Sequence, residues 1–256
     1  MSLTFMAKFD QREGNSCHIH LSLRTPDGDP VFPSGRGGDF SPTGEHFVAG
    51  LLDGIRELTL FFAPNINSYK RYVAGSFAPT AIRWGRDNRT CAVRVVGHGA
   101  SLRLENRVPG GDVNPYLACA AVIAAGLNGI ERELPLEPAF IGNAYQTESA
   151  RLPSTLRDAL TLWERSELAL RAFGDEVVEH YAKHGPRRTS RCAQCHGPRD
   201  CLPVAYVGAG LFYPDESTGA LSLPADPAQA DRGAVAPSPS ADGRRRRRAR
   251  VSPGAI

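Results

Sequence analysis

The chain has 256 residues and a mass of 27.6 kDa, enough for one large domain or two small ones. Hydrophobic residues at 41% and charged residues at 22% are near the globular average, which excludes wholesale disorder. No run of about 18 apolar residues is present to form a membrane-spanning helix. The net charge of +3 averages two unlike parts. Residues 183–256 carry 12 Lys or Arg against 6 Asp or Glu and hold 9 of the 20 prolines, whereas residues 1–182 are net acidic. The opening Met1-Ser2-Leu3-Thr4-Phe5-Met6-Ala7-Lys8 has no basic stretch followed by an apolar core. No secretory signal is read there, and a cytoplasmic protein is expected.

In chain order, Cys17 to Arg24 alternates strictly and predicts a strand. Cys17, Ile19, Leu21 and Leu23 share one face, with His18, His20 and Ser22 on the other. Pro26-Asp27-Gly28-Asp29 predicts a turn. Thr43–Phe62 predicts an amphipathic helix through Phe47, Leu51, Ile55 and Leu58, capped at Ser41 or Thr43. A polar loop, Asn65 to Phe77, precedes short strands near Ala81–Trp84 and Cys91–Val96. Residues 102–107 alternate again, with Arg103, Glu105 and Arg107 on one face. Pro115–Glu131, capped by Asn114, is so uniformly apolar that burial is expected. Two helices, 154–165 and 166–182, follow. Strands interspersed with helices predict an α+β domain whose sheet has one polar working face. Buried polar rows need a ligand, metal or partner to offset their lost hydration.

The polar rows carry the candidate chemistry. His18 and His20 point the same way about 7 Å apart. One imidazole could hold a metal and the other a substrate carboxylate, or both could be solvated histidines on a half-exposed strand. Arg103-x-Glu105-x-Arg107 is either a surface ion-pair ladder or a metal-ligating carboxylate between two phosphate clamps. Arg71, Arg83, Arg86, Arg89, Arg94, Arg103 and Arg107 leave an excess of positive charge. Few aromatics accompany them, so a polyanionic small substrate such as a nucleoside triphosphate fits better than a nucleic acid. Cys192-x-x-Cys195-His196 matches a haem-attachment spacing, but its Pro/Arg-rich setting favours a zinc site with Cys201 as the better metal reading.

Several stretches together resemble the catalytic domain of glutamine synthetase: Gly14-Asn15-Ser16-Cys17-His18-Ile19-His20-Leu21-Ser22, Asn65-Ile66-Asn67-Ser68-Tyr69-Lys70-Arg71, Asp87-Asn88-Arg89-Thr90-Cys91 and Arg103-Leu104-Glu105-Asn106-Arg107. Asn114-Pro115-Tyr116-Leu117 completes the order, and the resemblance covers residues 2–182. It implies an antiparallel sheet packed by helices, truncated at its amino-terminal side. It also implies an ATP-dependent ligase that joins the γ-carboxylate of glutamate to an amine through γ-glutamyl phosphate, with Mg2+ or Mn2+ as cofactor. In that light His18 and Glu105 correspond to metal ligands, while Gly14, His20, Arg71 and Arg107 correspond to the glutamate site. Ser22, Arg89, Arg94 and Arg103 would contact the nucleotide, and Arg89 and Arg107 would act on the transferring phosphate. A homo-oligomeric ring is expected for full-length members.

Two departures stand out. The family's Gly-Tyr-Glu-Ala-Pro loop is Gly75-Ser76-Phe77-Ala78-Pro79 here. Phenylalanine neither binds ammonium nor accepts its proton, so an organic amine such as a polyamine is the expected acceptor. The strands that supply most of the family's metal-binding carboxylates have no counterpart in this chain. The chain alone is therefore expected to have little ligase activity, and a nucleotide-binding remnant that pairs with a full-length ligase is the alternative. From residue 183 the resemblance stops, and the composition predicts a disordered tail or the product of a frameshift. Nucleic acid would be reached only through Arg244–Arg248.

Overall fold

The computed structural model describes residues 14–34 and 40–183. The Pro/Arg-rich segment beyond, with Cys192, Cys195, His196, Cys201 and Arg244–Arg248, lies outside the described residues.

Four short strands, β1 (Ile19–Leu21), β2 (Trp84–Arg86), β3 (Val93–Val96) and β4 (Arg103–Asn106), form one sheet in the order β1-β4-β3-β2. The β1–β4 and β3–β4 pairs are antiparallel, as expected, but β2 and β3 run parallel, so the sheet is mixed. The connection 87–92 explains the difference. Asp87 takes a positive φ of 48°, and Asn88 Oδ1 accepts from both the backbone N–H and the hydroxyl of Thr90. Two local reversals, where a hairpin has one, bring the chain back to start again beside Trp84.

Helices cover the apolar side of the sheet. Helix α1 (Pro42–Gly54) is capped by Ser41, whose hydroxyl accepts from the N–H of Gly44 at 3.0 Å. The single helix expected to Phe62 is interrupted over 55–58 before α2 (Thr59–Phe62). Thr59 Oγ1 bonds back to the Ile55 carbonyl, and the bonds of Thr59 and Phe61 tighten to three residues. Helix α3 (Pro115–Glu131) begins at its Asn114 cap as expected. It is buried on one face only: Ala118, Ala121, Val122 and Ala125 enter the core, whereas Tyr116, Ile123 and Leu127 are exposed. Helices α1 and α3 pack backbone to backbone. A Cβ on Gly50 would lie 2.3 Å from the Ala125 carbonyl oxygen.

Helices α4 (Leu156–Glu164) and α5 (Glu167–Phe173) are followed by α6, residues 175–183. The expected continuous helix 166–182 divides at Gly174, whose φ of +79° suits glycine. An aromatic cluster of Phe61, Trp163, Phe173 and Tyr181 seals this end, and the Trp163 indole donates to the Val178 carbonyl at 3.1 Å.

Candidate active site

Backbone register assembles the polar face. His20 pairs with Glu105 across β1–β4, and Glu105 with Arg94 across β4–β3, so one rung of the sheet carries an imidazole, a carboxylate and a guanidinium. The alternate residues Ile19, Leu21, Leu104, Val93 and Val95 turn toward the apolar core.

Glu105 is the hub, with only 3% of its side chain exposed. Its Oε1 meets His18 Nδ1 at 2.8 Å and Arg107 Nη1 at 2.9 Å, while Oε2 accepts from Arg94 Nη1 at 2.8 Å. His20 Nε2 stands back at 4.0 Å. Burial alone would raise this carboxyl, but the Arg94 hydrogen bond and the neighbouring charges hold it below the usual range. Arg94 also pairs with exposed Asp87, whose carboxyl its hydrogen bonds lower.

His18 is pushed down to about 4, first by burial and then by the Arg107 charge, against the opposing pull of Glu105. It is therefore neutral at pH 7, with Nδ1–H donating to Glu105. Its Nε2 is buried and without a hydrogen-bond partner, a bare lone pair suited to one bond with a metal. Both Glu105 oxygens are already engaged by cationic donors. Among the described residues no group of three or more His, Cys, Asp and Glu could hold a metal ion. Hard divalent cations take six or more oxygen-rich ligands. The described residues thus offer one ligand in His18 and a second only by rearrangement of Glu105, and do not by themselves form a divalent metal site.

Arg71, on the 3-10 turn Ile66–Arg71, is buried behind Arg107. Its guanidinium donates to the Val108 and Arg107 carbonyls at 2.6 and 2.8 Å and to Ser16 Oγ at 2.9 Å. It therefore braces the backbone just past β4, where Arg107 lies. Arg107 Nη2 in turn donates to the Phe77 carbonyl at 3.3 Å. Phe77 takes a left-handed φ of 63° and is 79% exposed, a strained backbone of the kind found beside ligand sites.

The structure thus brings His18, His20, Arg71, Arg94, Glu105 and Arg107 together, with Phe77 joined through its carbonyl. Arg103 lies two residues before Glu105 and donates to the Ser101 carbonyl at 3.3 Å. Ser22 is exposed just beyond β1, and Gly14 precedes the Ser16–Gly110 bridge. Arg89 is exposed on the 87–92 connection, beside an open groove of about 710 Å³ lined by Arg86, Asn88, Phe140 and Gly142. Sequence reading missed Ser16 and Asp87, which lie inside the recognised motifs and pair with Arg71 and Arg94.

The polar face of the sheet thus holds one buried carboxylate among two guanidiniums and an imidazole. The glutamine synthetase catalytic domain matches residues 1–189, and the chain belongs to that family. It is 62% identical over 181 residues to the γ-glutamylethanolamide synthetase GlnA4 of Streptomyces coelicolor, covering 71% of this chain and 39% of that protein. It is 43% identical over 189 residues to a glutamate–isopropylamine ligase of Pseudomonas, covering 72% of this chain and 41% of that protein. The solved GmaS/ADP complex superposes with a TM-score of 0.67 at 34% identity, over 74% of this chain and 46% of that one. The chain spans about two fifths of the length of these curated relatives.

Proposed function

We propose that this chain contributes the carboxy-terminal part of the active site of an ATP- and magnesium-dependent glutamate–amine ligase. Its acceptor is an organic amine in preference to ammonia. The observation that carries this reading is Phe77. It stands exposed at the rim of the site while its carbonyl is held by Arg107, the same guanidinium that grips Glu105. An aromatic ring offers an apolar wall, or a π face for a cation, where deprotonation of ammonium would need a carboxylate. The printed names of the similar relatives, an ethanolamide synthetase and an isopropylamine ligase, favour the same chemistry.

In this reading the γ-carboxylate of glutamate attacks the terminal phosphate of ATP, and the amine then displaces phosphate from γ-glutamyl phosphate. Arg107 and Arg94 supply fixed positive charge as negative charge moves between the reactants. Glu105 holds both guanidiniums in place, and Arg71 braces the backbone behind them. The described residues by themselves do not supply a full set of ligands for the metals, and little turnover is expected of the isolated chain.

A chimera tests the proposal. Residues 14–182 replace the matching segment of the Streptomyces relative, and amine-dependent phosphate release is measured with ethanolamine, isopropylamine, putrescine and ammonium. Turnover led by one of the organic amines is expected, with Phe77→Glu shifting preference toward ammonium. A parent chimera that prefers ammonium would refute the acceptor assignment. Saturable binding of magnesium–ATP by the isolated chain, without turnover in the chimera, would instead support the nucleotide-binding remnant.

A further inference from the structure

Arg94 offers its guanidinium to two carboxylates of opposite character. Its Nη1 donates to Oε2 of buried Glu105 at 2.8 Å. The other edge closes on a single oxygen of Asp87: Nε donates to Oδ1 at 2.9 Å, and Nη2 meets the same atom. That Nε–Nη2 edge is a fork of the kind with which guanidinium grips pairs of phosphoryl or carboxylate oxygens. Here it is covered by a side chain that is 76% exposed, while the Arg94 side chain beneath is 15% exposed.

Local structure aims the Asp87 carboxylate at that edge. Asp87 takes a left-handed φ of 48°, a conformation that aspartate tolerates but that strains its backbone. Its N–H donates to the carbonyl of Val95 at 2.9 Å, which anchors it beside the residue that follows Arg94. It is the one acid in residues 86–94, which include Arg86, Arg89 and Arg94. Arg86, Asp87 and Arg89 all line the open groove of about 710 Å³, whereas Arg94 does not. An anion entering the groove therefore meets the Asp87 carboxylate before it meets the Arg94 fork.

The two ion pairs differ in what they resist. An exposed pair contributes little in water and exchanges readily, whereas a buried pair is costly to break. Loss of the Asp87 contact leaves Arg94 anchored through Glu105 with its fork uncovered. A free carboxylate gains nothing by replacing a tethered one, but an anion with several charged oxygens does. We propose that Asp87 is a displaceable counter-ion for Arg94, covering the fork until a polyanion such as the phosphate chain of a nucleotide enters from the groove and replaces it. Asp87 thereby sets the affinity of the site and its preference for highly charged ligands. This rests on the ligase reading above, in which Arg94 meets the nucleotide, and adds a residue that competes with the ligand.

The full chain tests this with inorganic tripolyphosphate, titrated calorimetrically without magnesium at constant ionic strength. Wild type is compared with Asp87→Asn, Arg94→Lys and the double variant. Asparagine accepts a left-handed backbone as readily as aspartate, so Asp87→Asn removes the charge and keeps the turn. It is expected to tighten the Kd by about fivefold, the upper value for an exposed ion pair that no longer competes. Arg94→Lys keeps a positive charge but loses the fork, and is expected to abolish that gain. Asp53→Asn removes an equal charge from the exposed pair with Arg132 and should leave the Kd unchanged. An unchanged or weaker Kd in Asp87→Asn, beside measurable binding by wild type, would overturn the counter-ion role alone. The same tightening in the Arg94→Lys background, or in Asp53→Asn, would overturn it as a general effect of charge. Binding of tripolyphosphate by neither wild type nor Asp87→Asn would overturn the nucleotide reading of Arg94 and the counter-ion role together.

Discussion

Glu105→Gln separates what the central carboxylate does for the fold from what it does for the site. The side chain is 3% exposed, and its partners Arg107 and Arg94 are 6% and 15% exposed. Neither guanidinium can recover full hydration once the charge is gone. The amide keeps the shape and one acceptor oxygen, but its –NH2 then faces donors. Removing one partner of a buried ion pair costs about 3–5 kcal/mol, and the retained acceptor places this variant near 3 kcal/mol. For a domain of this size that corresponds to a Tm lower by about 6–12 °C. The assay is thermal unfolding followed by circular dichroism, with Asp87→Asn as the control. Asp87 is exposed and pairs with the same Arg94, so its loss should move the Tm by no more than about 1 °C. Raising the salt concentration should leave the Glu105→Gln deficit largely unchanged, because buried pairs are weakly screened. A Tm that falls by less than about 2 °C, or rises, would refute the reasoning. It would mean that Glu105 is held at a cost to stability for a ligand it awaits.

Three other outcomes follow from the same structure. His18 has a folded pKa of about 4 against an ordinary 6.5. The unfolded chain therefore binds the proton first, and stability falls as pH drops through 6.5 toward 4. The full shift corresponds to about 3 kcal/mol, reduced to about 2 kcal/mol for a ring partly open to solvent; urea unfolding at pH 7 and pH 4.5 should show this loss in wild type and its absence in His18→Gln. Gly50→Ala forces a methyl against the Ala125 carbonyl and the Gly129 backbone, so it should cost about 1–3 kcal/mol in urea unfolding, and an unchanged midpoint would contradict the close α1–α3 contact. Cys91 is buried with its thiol pushed up to about 11, whereas Cys119 is exposed; alkylation mapped by mass spectrometry should label Cys119 well before Cys91, and the reverse order would contradict the packing.

The parts of the fold legible in the sequence were those with strong local signals. Asn114-Pro115 fixes the start of α3, Ser41-Pro42 that of α1, and the alternations at 17–24 and 102–107 place β1 and β4 with the polar rows on one side. Their pairing through His20 and Glu105 depends on contacts across more than eighty residues, which no local pattern encodes. The parallel β2–β3 pair escaped notice because Asp87, a non-glycine residue, adopts a positive φ there. The division at Gly174 was hidden in an otherwise continuous helical pattern, and the interruption after Gly54 arises from a threonine hydroxyl competing for a helix carbonyl. At the site, residue types were readable but their assignments were not. Arg71 and Arg107 look equivalent in sequence, yet one braces backbone carbonyls and the other faces the carboxylate.

The charged rung across β1, β4 and β3 also guards the alignment of the sheet. Side chains alternate between faces with a period of two, so sliding any of these strands by one residue exchanges its polar row with its apolar row. Slippage of β4 would drive Glu105 into the space now filled by Leu104, among Val93, Val95 and the helices, and turn leucines out to solvent. Unpaired in that interior, the carboxylate would have to take up a proton or be expelled. Three- and four-residue strands have few hydrogen bonds with which to choose a register. Here the choice is made by the groups that also form the site, so a chain that has folded with its strands misaligned cannot conceal the error.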